Sequence, residues 1–184
     1  RNYLHFEAFI LHQAPVYPGN SGGALVDLKG YLVGINTAIA TPTGTFAGYS
    51  FAVPSNLVKK VYNDLTEFGV VQRALLGITI LDVNAQMAEE NDLPVVTGVM
   101  IDRVNGGGAA DDAGLESGDV IIDIHGVEIK NVSNLQEQVA INRPGDKILV
   151  TYIRDGKTKT TNATLKNTLG TTEVVASTNS FSID

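Results

Sequence analysis

The chain has 184 residues, of which 43% are hydrophobic and 18% charged, with a net charge of −7, three histidines and no cysteine. Without cysteine there is no disulfide, no thiolate catalysis and no cysteine-ligated zinc, and the scattered histidines offer no metal-ligand spacing, so neither a metal nor another cofactor is expected. The acidic balance, with no basic cluster, argues against nucleic acid as a partner, and no run approaches the roughly 20 apolar residues of a membrane-spanning helix.

In chain order, the first informative stretch is Tyr17-Pro18-Gly19-Asn20-Ser21-Gly22-Gly23-Ala24-Leu25-Val26, a glycine-rich turn running into an apolar strand. Glycines on both sides of Ser21 open backbone conformations closed to other residues, so the amides of Gly19, Asn20 and Ser21 can converge on one small space. A serine attacking an amide carbonyl needs such a space for the oxyanion, where each preorganised donor is worth roughly 3–4 kcal/mol. Gly-Asn-Ser-Gly-Gly also reads as a plain polar hairpin turn. Asp27-Leu28-Lys29-Gly30 predicts a hairpin turn between a strand ending at Val26 and one over Tyr31-Leu32-Val33-Gly34-Ile35-Asn36. Apolar residues at 57, 58, 61, 62, 65 and 68 then predict a helix whose stripe packs on those strands, capped by Ser55 and ended by Gly69.

The serine turn and hairpin, with Phe46-Ala47-Gly48-Tyr49-Ser50-Phe51-Ala52-Val53-Pro54-Ser55-Asn56 after them, resemble the C-terminal β-barrel of the HtrA (Deg) family of chymotrypsin-like serine proteases, which act in quality control of misfolded protein. The resemblance implies that Ser21 is the nucleophile, that Gly19 and Asn20 build the oxyanion hole together with the Ser21 amide, and that a substrate strand pairs along Ile35, Asn36, Thr37 and Ala38. It also implies that the loop over 43–49 borders the pocket for the residue before the cut. One departure is Leu11-His12-Gln13-Ala14-Pro15, where the family usually has Gln-Thr-Asp-Ala-Ala. That aspartate is not the triad acid, so the change bears on local packing or activation-loop geometry.

A serine nucleophile needs a base, normally a histidine oriented by a carboxylate. Of His5, His12 and His125, His12 has no orienting acid in its flanks and His125, in Ile124-His125-Gly126, reads as a turn residue. In the resembled family the histidine and aspartate come from the N-terminal barrel. The chain is therefore read as starting part-way through the second barrel and as inactive alone, with strand edges unpaired and apolar faces wet.

After a linker over 70–74, Leu75-Leu76-Gly77-Ile78-Thr79-Ile80, Thr97-Gly98-Val99-Met100-Ile101-Asp102-Arg103-Val104 and Ala113-Gly114-Leu115-Glu116-Ser117-Gly118-Asp119-Val120-Ile121 resemble a PDZ domain. Ser133-Asn134-Leu135-Gln136 predicts a capping box opening a helix that Pro144-Gly145 ends, and Arg154-Asp155-Gly156-Lys157 predicts a hairpin. A groove between a sheet edge and a helix accepts an extended peptide as an extra strand. By resemblance, Leu75, Leu76, Gly77 and Ile78 form the loop for a peptide's terminal carboxylate, Ile78 and Ile80 face the peptide, and Leu135, Gln138 and Val139 line the far wall. These apolar residues also suit a core. Gly106-Gly107-Gly108 has no following Lys-Ser/Thr pair and reads as a flexible loop.

The expectation is a mainly β chain: the C-terminal portion of a trypsin-like β-barrel with its last helix over 1–69, the linker, a PDZ domain over 75–166, and a tail or linker over 167–184. The resemblance implies a periplasmic or cell-envelope endopeptidase acting on unfolded polypeptides or peptide C-termini and assembling as trimers or multiples of them. The alternative is a non-catalytic peptide-binding module or chaperone-like holdase.

Overall fold

A computed structural model describes residues 9–17, 19–37 and 50–177. The chain divides between Thr66 and Glu67 into two compact units.

The first unit holds a four-stranded antiparallel sheet in the order β1-β4-β3-β2, made of β1 (Ile10–His12), β2 (Ala24–Val26), β3 (Leu32–Asn36) and β4 (Ser50–Pro54). The β2–β3 turn is closed by Asp27, whose Oδ1 accepts from the amides of Lys29 at 2.8 Å and Tyr31 at 2.9 Å. In β4, Ser50, Ala52 and Pro54 are buried and alternate with half-buried Phe51 and Val53, the period-two pattern of a strand with one covered face. Gly34 is required by close approach, since a Cβ there would stand 2.6 Å from the Val53 carbonyl oxygen. Helix α1 (Ser55–Phe68) follows β4 directly, burying Leu57 and Asp64, and Asp64 pairs with Lys60 at 2.8 Å. The expected wet apolar surface appears on the β2–β3 hairpin, where Val26, Leu28, Tyr31 and Leu32 are exposed.

The second unit is built on a six-stranded antiparallel sheet with the path β10-β9-β7-β6-β5: β5 (Ile78–Asp82), β6 (Val99–Val104), β7 (Val120–Ile124), β9 (Lys147–Arg154) and β10 (Lys157–Thr164). Short β8 (Val127–Glu128) pairs with β7. Successive strand residues face opposite sides, so Ile121 and Tyr152 enter the main core while their neighbours Val120 and Ile153 enter a second cluster. The main core is closed by α4 (Val132–Ala140) through Leu135 and by α3 (Ala109–Asp112) through Ala110. Helix α2 (Ala85–Glu90), which the sequence pattern did not reveal, closes the other through Ala88.

The Asp155-Gly156 hairpin forms as expected, with φ values of 52° and 68° and Arg154 opposite Lys157. His125 is likewise a turn residue, paired with Gly126 at φ 54° and 82°. The cap of α4 differs from expectation. The helix opens at Val132, and Asn131 Oδ1 accepts from the Asn134 amide at 2.9 Å, so Asn131 takes the role assigned to Ser133. An asparagine one residue before the first helical turn reaches that amide, while Ser133 already lies inside the helix. The helix also ends at Ala140, ahead of Pro144.

From Asn167 to Ser177 the chain is hydrogen-bonded rather than loose. Asn167 is 7% exposed, and its Oδ1 accepts from Leu169 and Thr171 amides while its Nδ2 donates to Thr171 Oγ1 and the Glu173 carbonyl. Gln72, only 2% exposed, holds Val175 on both sides: Nε2 donates to its carbonyl at 2.6 Å and Oε1 accepts from its amide at 2.8 Å. The Ser177 amide donates to the Phe68 carbonyl.

Candidate functional site

Ser21 stands exposed on a turn that two features of the backbone shape. Gly19 and Gly22 lie at φ +104° and +85°, where any side chain is strained. The turn is then fastened to the end of β3, because the Gly22 amide donates to the Asn36 carbonyl at 2.8 Å and the Asn36 amide to the Gly23 carbonyl at 2.8 Å. Gly23 is held close from the other side, since a Cβ there would meet the Asn20 carbonyl oxygen at 2.9 Å.

The three amides named for the oxyanion are not equivalent. Asn20 donates to the Tyr17 carbonyl at 3.0 Å, closing the turn on itself. Gly19 and Ser21 amides have no acceptor among the described residues. Ser21 Oγ has no hydrogen-bond partner among those residues either, and both ring nitrogens of His12 are buried without one. His12 is thus not engaged with Ser21.

Of the expected substrate strand, Ile35 has neighbours on both sides, Ala24 in β2 and Val53 in β4. Asn36 is bonded to the serine turn on one side and lies opposite Ala52 on the other. A third strand has no free edge at either residue. The Thr37 amide donates to the Phe51 carbonyl at 3.0 Å. Ala38 and the loop over 43–49 lie outside the described residues, as does His5.

In the second unit β5 is an edge strand, paired with β6 alone among the described residues, and α4 runs beside its other side. The far end of that cleft is tied by Asp82 Oδ1, which accepts from the Val132 amide at 2.6 Å at the opening of α4. A carboxylate there also complements the positive end of the helix. Ile78, Ile80 and Val139 are half-buried against the main core, while Leu135 at 1% and Leu76 at 4% exposure belong to the core itself. Leu135 and Leu76 therefore support the wall rather than form its surface. Gln138 is half-buried on α4.

At the start of β5 the carbonyls all turn inward. Leu75 accepts from Lys166 at 3.2 Å, Leu76 from Ala110 at 2.8 Å and Gly77 from Asn105 at 2.9 Å. Carbonyl and amide of one peptide unit point in opposite directions. The amides of Leu76 and Gly77 accordingly point away from those partners, and neither donates a hydrogen bond among the described residues. Gly77 sits at φ +78°, and a Cβ on it would lie 3.2 Å from the Gly108 Cα. The Asn105, Ala110 and Lys166 contacts had no local sequence signal, because each joins segments far apart in the chain.

No group of histidines and carboxylates among the described residues could hold a metal ion, and no described helix is long and apolar enough to cross a membrane.

Comparison with known proteins bears on both units. Residues 4–62 match the family described as trypsin and residues 70–165 that of the PDZ domain. A probable periplasmic serine protease, do/HhoA-like, of Haemophilus influenzae is 41% identical over 152 residues, covering 83% of this chain and 33% of that protein. The periplasmic serine endoprotease DegP of Escherichia coli is 38% identical over 165 residues, 90% of this chain and 35% of its own. The chain thus spans about a third of the length of these relatives. Among solved structures, the HtrA-type protease AlgW with decapeptide superposes with a TM-score of 0.63 at 38% identity, covering 91% of this chain and 52% of that one.

Proposed function

Since the chain belongs to the HtrA (Deg) family of trypsin-like serine proteases and carries a PDZ domain, we propose that it serves a periplasmic endopeptidase acting on unfolded polypeptide, with Ser21 as the nucleophile. The observation that carries this reading is the pinned turn of Ser21, in which the Gly19 and Ser21 amides are without acceptors among the described residues while Asn20 closes the turn. In the reaction Ser21 Oγ attacks the scissile carbonyl and its proton passes to a histidine base. The Gly19 and Ser21 amides hold the oxyanion, the proton moves on to the leaving amine as the C–N bond breaks, and water hydrolyses the acyl-enzyme. Asn20 acts by shaping the turn. Of the substrate strand expected along Ile35 to Ala38, Thr37 and Ala38 are the residues kept in this reading, because Ile35 and Asn36 are flanked on both sides.

The PDZ domain takes part by adding a peptide strand to the open edge of β5, with the terminal carboxylate on the Leu76 and Gly77 amides and side chains against Ile78, Ile80 and Val139. The decapeptide in the AlgW structure supports this reading. Assembly into a trimer or a multiple of one belongs to the same reading and rests on the family resemblance.

The test is hydrolysis of an unfolded polypeptide by the 184-residue chain and by the same chain fused behind the N-terminal barrel of Escherichia coli DegP. The fusion should cleave, Ser21→Ala in it should not, and the chain alone should not, because Ser21 Oγ has no base beside it among the described residues. Equal cleavage by the Ser21→Ala fusion would remove Ser21 from the reaction. The second reading, a non-catalytic peptide binder, is favoured by a Ser21 Oγ without a hydrogen-bond partner among the described residues, and an inactive fusion that still captures peptide would select it.

A further inference from the structure

We propose that Lys166 is a positioning residue for peptide binding: it fastens the triglycine loop against Leu75-Leu76-Gly77 and so fixes the direction of the amides that receive a terminal carboxylate. The proposal rests on the peptide-binding reading above.

Lys166 acts from two places at once. Its backbone forms a bridge with Leu75, receiving the Leu75 amide at 2.8 Å and donating to the Leu75 carbonyl at 3.2 Å. Its Nζ crosses to the Gly107 carbonyl at 2.7 Å and to the Asp112 carboxylate at 2.5 Å. With 16% of its side chain exposed, the ammonium is partly withdrawn from water, so its hydrogen bond to Gly107 is not easily replaced by solvent.

The loop it holds packs on Gly77, the residue that carries the second of those amides. Gly107 sits at φ +74°, Gly108 donates to the Asn105 carbonyl at 3.0 Å, and the Asn105 amide donates to the Gly77 carbonyl at 2.9 Å. A Cβ on Gly77 would stand 3.2 Å from the Gly108 Cα, and one on Gly108 would stand 2.9 Å from the Asn105 carbonyl oxygen. Asp112 belongs to α3, whose Ala110 amide holds the Leu76 carbonyl. Lys166 is therefore joined to every element that keeps the three carbonyls turned inward. Without its ammonium, the Gly107 carbonyl and Asp112 lose their shared partner and the Leu76 and Gly77 amides lose fixed direction, though the backbone bridge stays.

The experiment is fluorescence anisotropy on the full chain with a labelled decapeptide ending in an apolar residue, supplied as free acid and as C-terminal amide. Proteins are wild type, Lys166→Met and Lys166→Arg, each checked by thermal melting. Lys166→Met is expected to weaken free-acid binding by about tenfold, the loss of one hydrogen bond to a charged group. Binding of the amide should stay as weak as before, so that the acid-to-amide ratio collapses, and Lys166→Arg should restore the ratio. Unchanged free-acid affinity in Lys166→Met overturns the proposal, as does an equal loss for acid and amide, which is what a merely structural lysine would give. If wild type binds acid and amide alike, the carboxylate reading fails first and this inference with it.

Discussion

At Gly22 the backbone lies at φ +85° with open space where a side chain would go, so the demand on this residue is conformational rather than steric. Gly22→Ala should therefore cost about 1–2 kcal/mol locally and slow acylation of Ser21 far more than it lowers the melting temperature, a contrast that kinetics and calorimetry on the DegP fusion would separate. Gly34 poses the opposite demand, since any Cβ there strikes the Val53 carbonyl. The serine turn was legible because its chemistry is written in consecutive residues. What was not legible is which amides stay free: Asn20 is withdrawn by a bond to Tyr17 that depends on the actual turn geometry. Lys166 gave no signal at all, being one lysine in a polar stretch whose partners are brought by the fold.

Helix α4 shows what local patterns reveal and miss. The resemblance set Leu135, Gln138 and Val139 together on the groove wall, yet it could not distinguish Leu135, in the core, from Val139, half-buried against it, because both are apolar positions one turn apart. The cap was misplaced by two residues since two polar residues, Asn131 and Ser133, both precede a plausible first turn. With Asn131 as the cap, Asn131→Ala should destabilise the second unit by about 1 kcal/mol while Ser133→Ala stays near neutral, as urea unfolding would register. Helix α2 escaped notice because six residues give too short a period to read, and its place is decided by Ala88 meeting Val120 and Ile153 across the sheet.

At the scale of the molecule, the second unit is tied together by groups distant in sequence. Arg154 bonds Asp119 through Nε at 2.6 Å and Nη2 at 2.7 Å, reaches Glu116 at 2.9 Å and the Gly114 carbonyl at 2.8 Å, and lies over the Tyr152 ring. The hydrogen bonds to Asp119 raise the guanidinium pKa above its ordinary value against the opposing effect of burial. Asp119 is 1% exposed, so Arg154→Met would strand a buried carboxylate and should cost about 3 kcal/mol or more in urea unfolding. Restoring much of that loss with Asp119→Asn on the same background would identify the stranded charge as the cause. Gln72 makes a second tie, between the segment that leads into the domain and the one that leaves it. In Gln72→Ala, amides from 171 to 177 should exchange hydrogen faster while those of β7 and β9 keep their protection; unchanged exchange would show that the clasp does not hold the segment.

The two domain families and the glycine-rich turn at Ser21 were readable from sequence because strand alternation, turn residues and the Gly-Asn-Ser-Gly-Gly run are local. The clasp at Gln72 and the buttress at Lys166 are products of the fold. The central claim is that Ser21 is a nucleophile on a turn already shaped for it. Its most direct test is fluorophosphonate labelling of the fusion with the N-terminal barrel of DegP, located by mass spectrometry. The account predicts modification at Ser21, none there in the unfused chain, and none in Ser21→Ala. A folded fusion that carries the label on another serine, or none at Ser21, would contradict it.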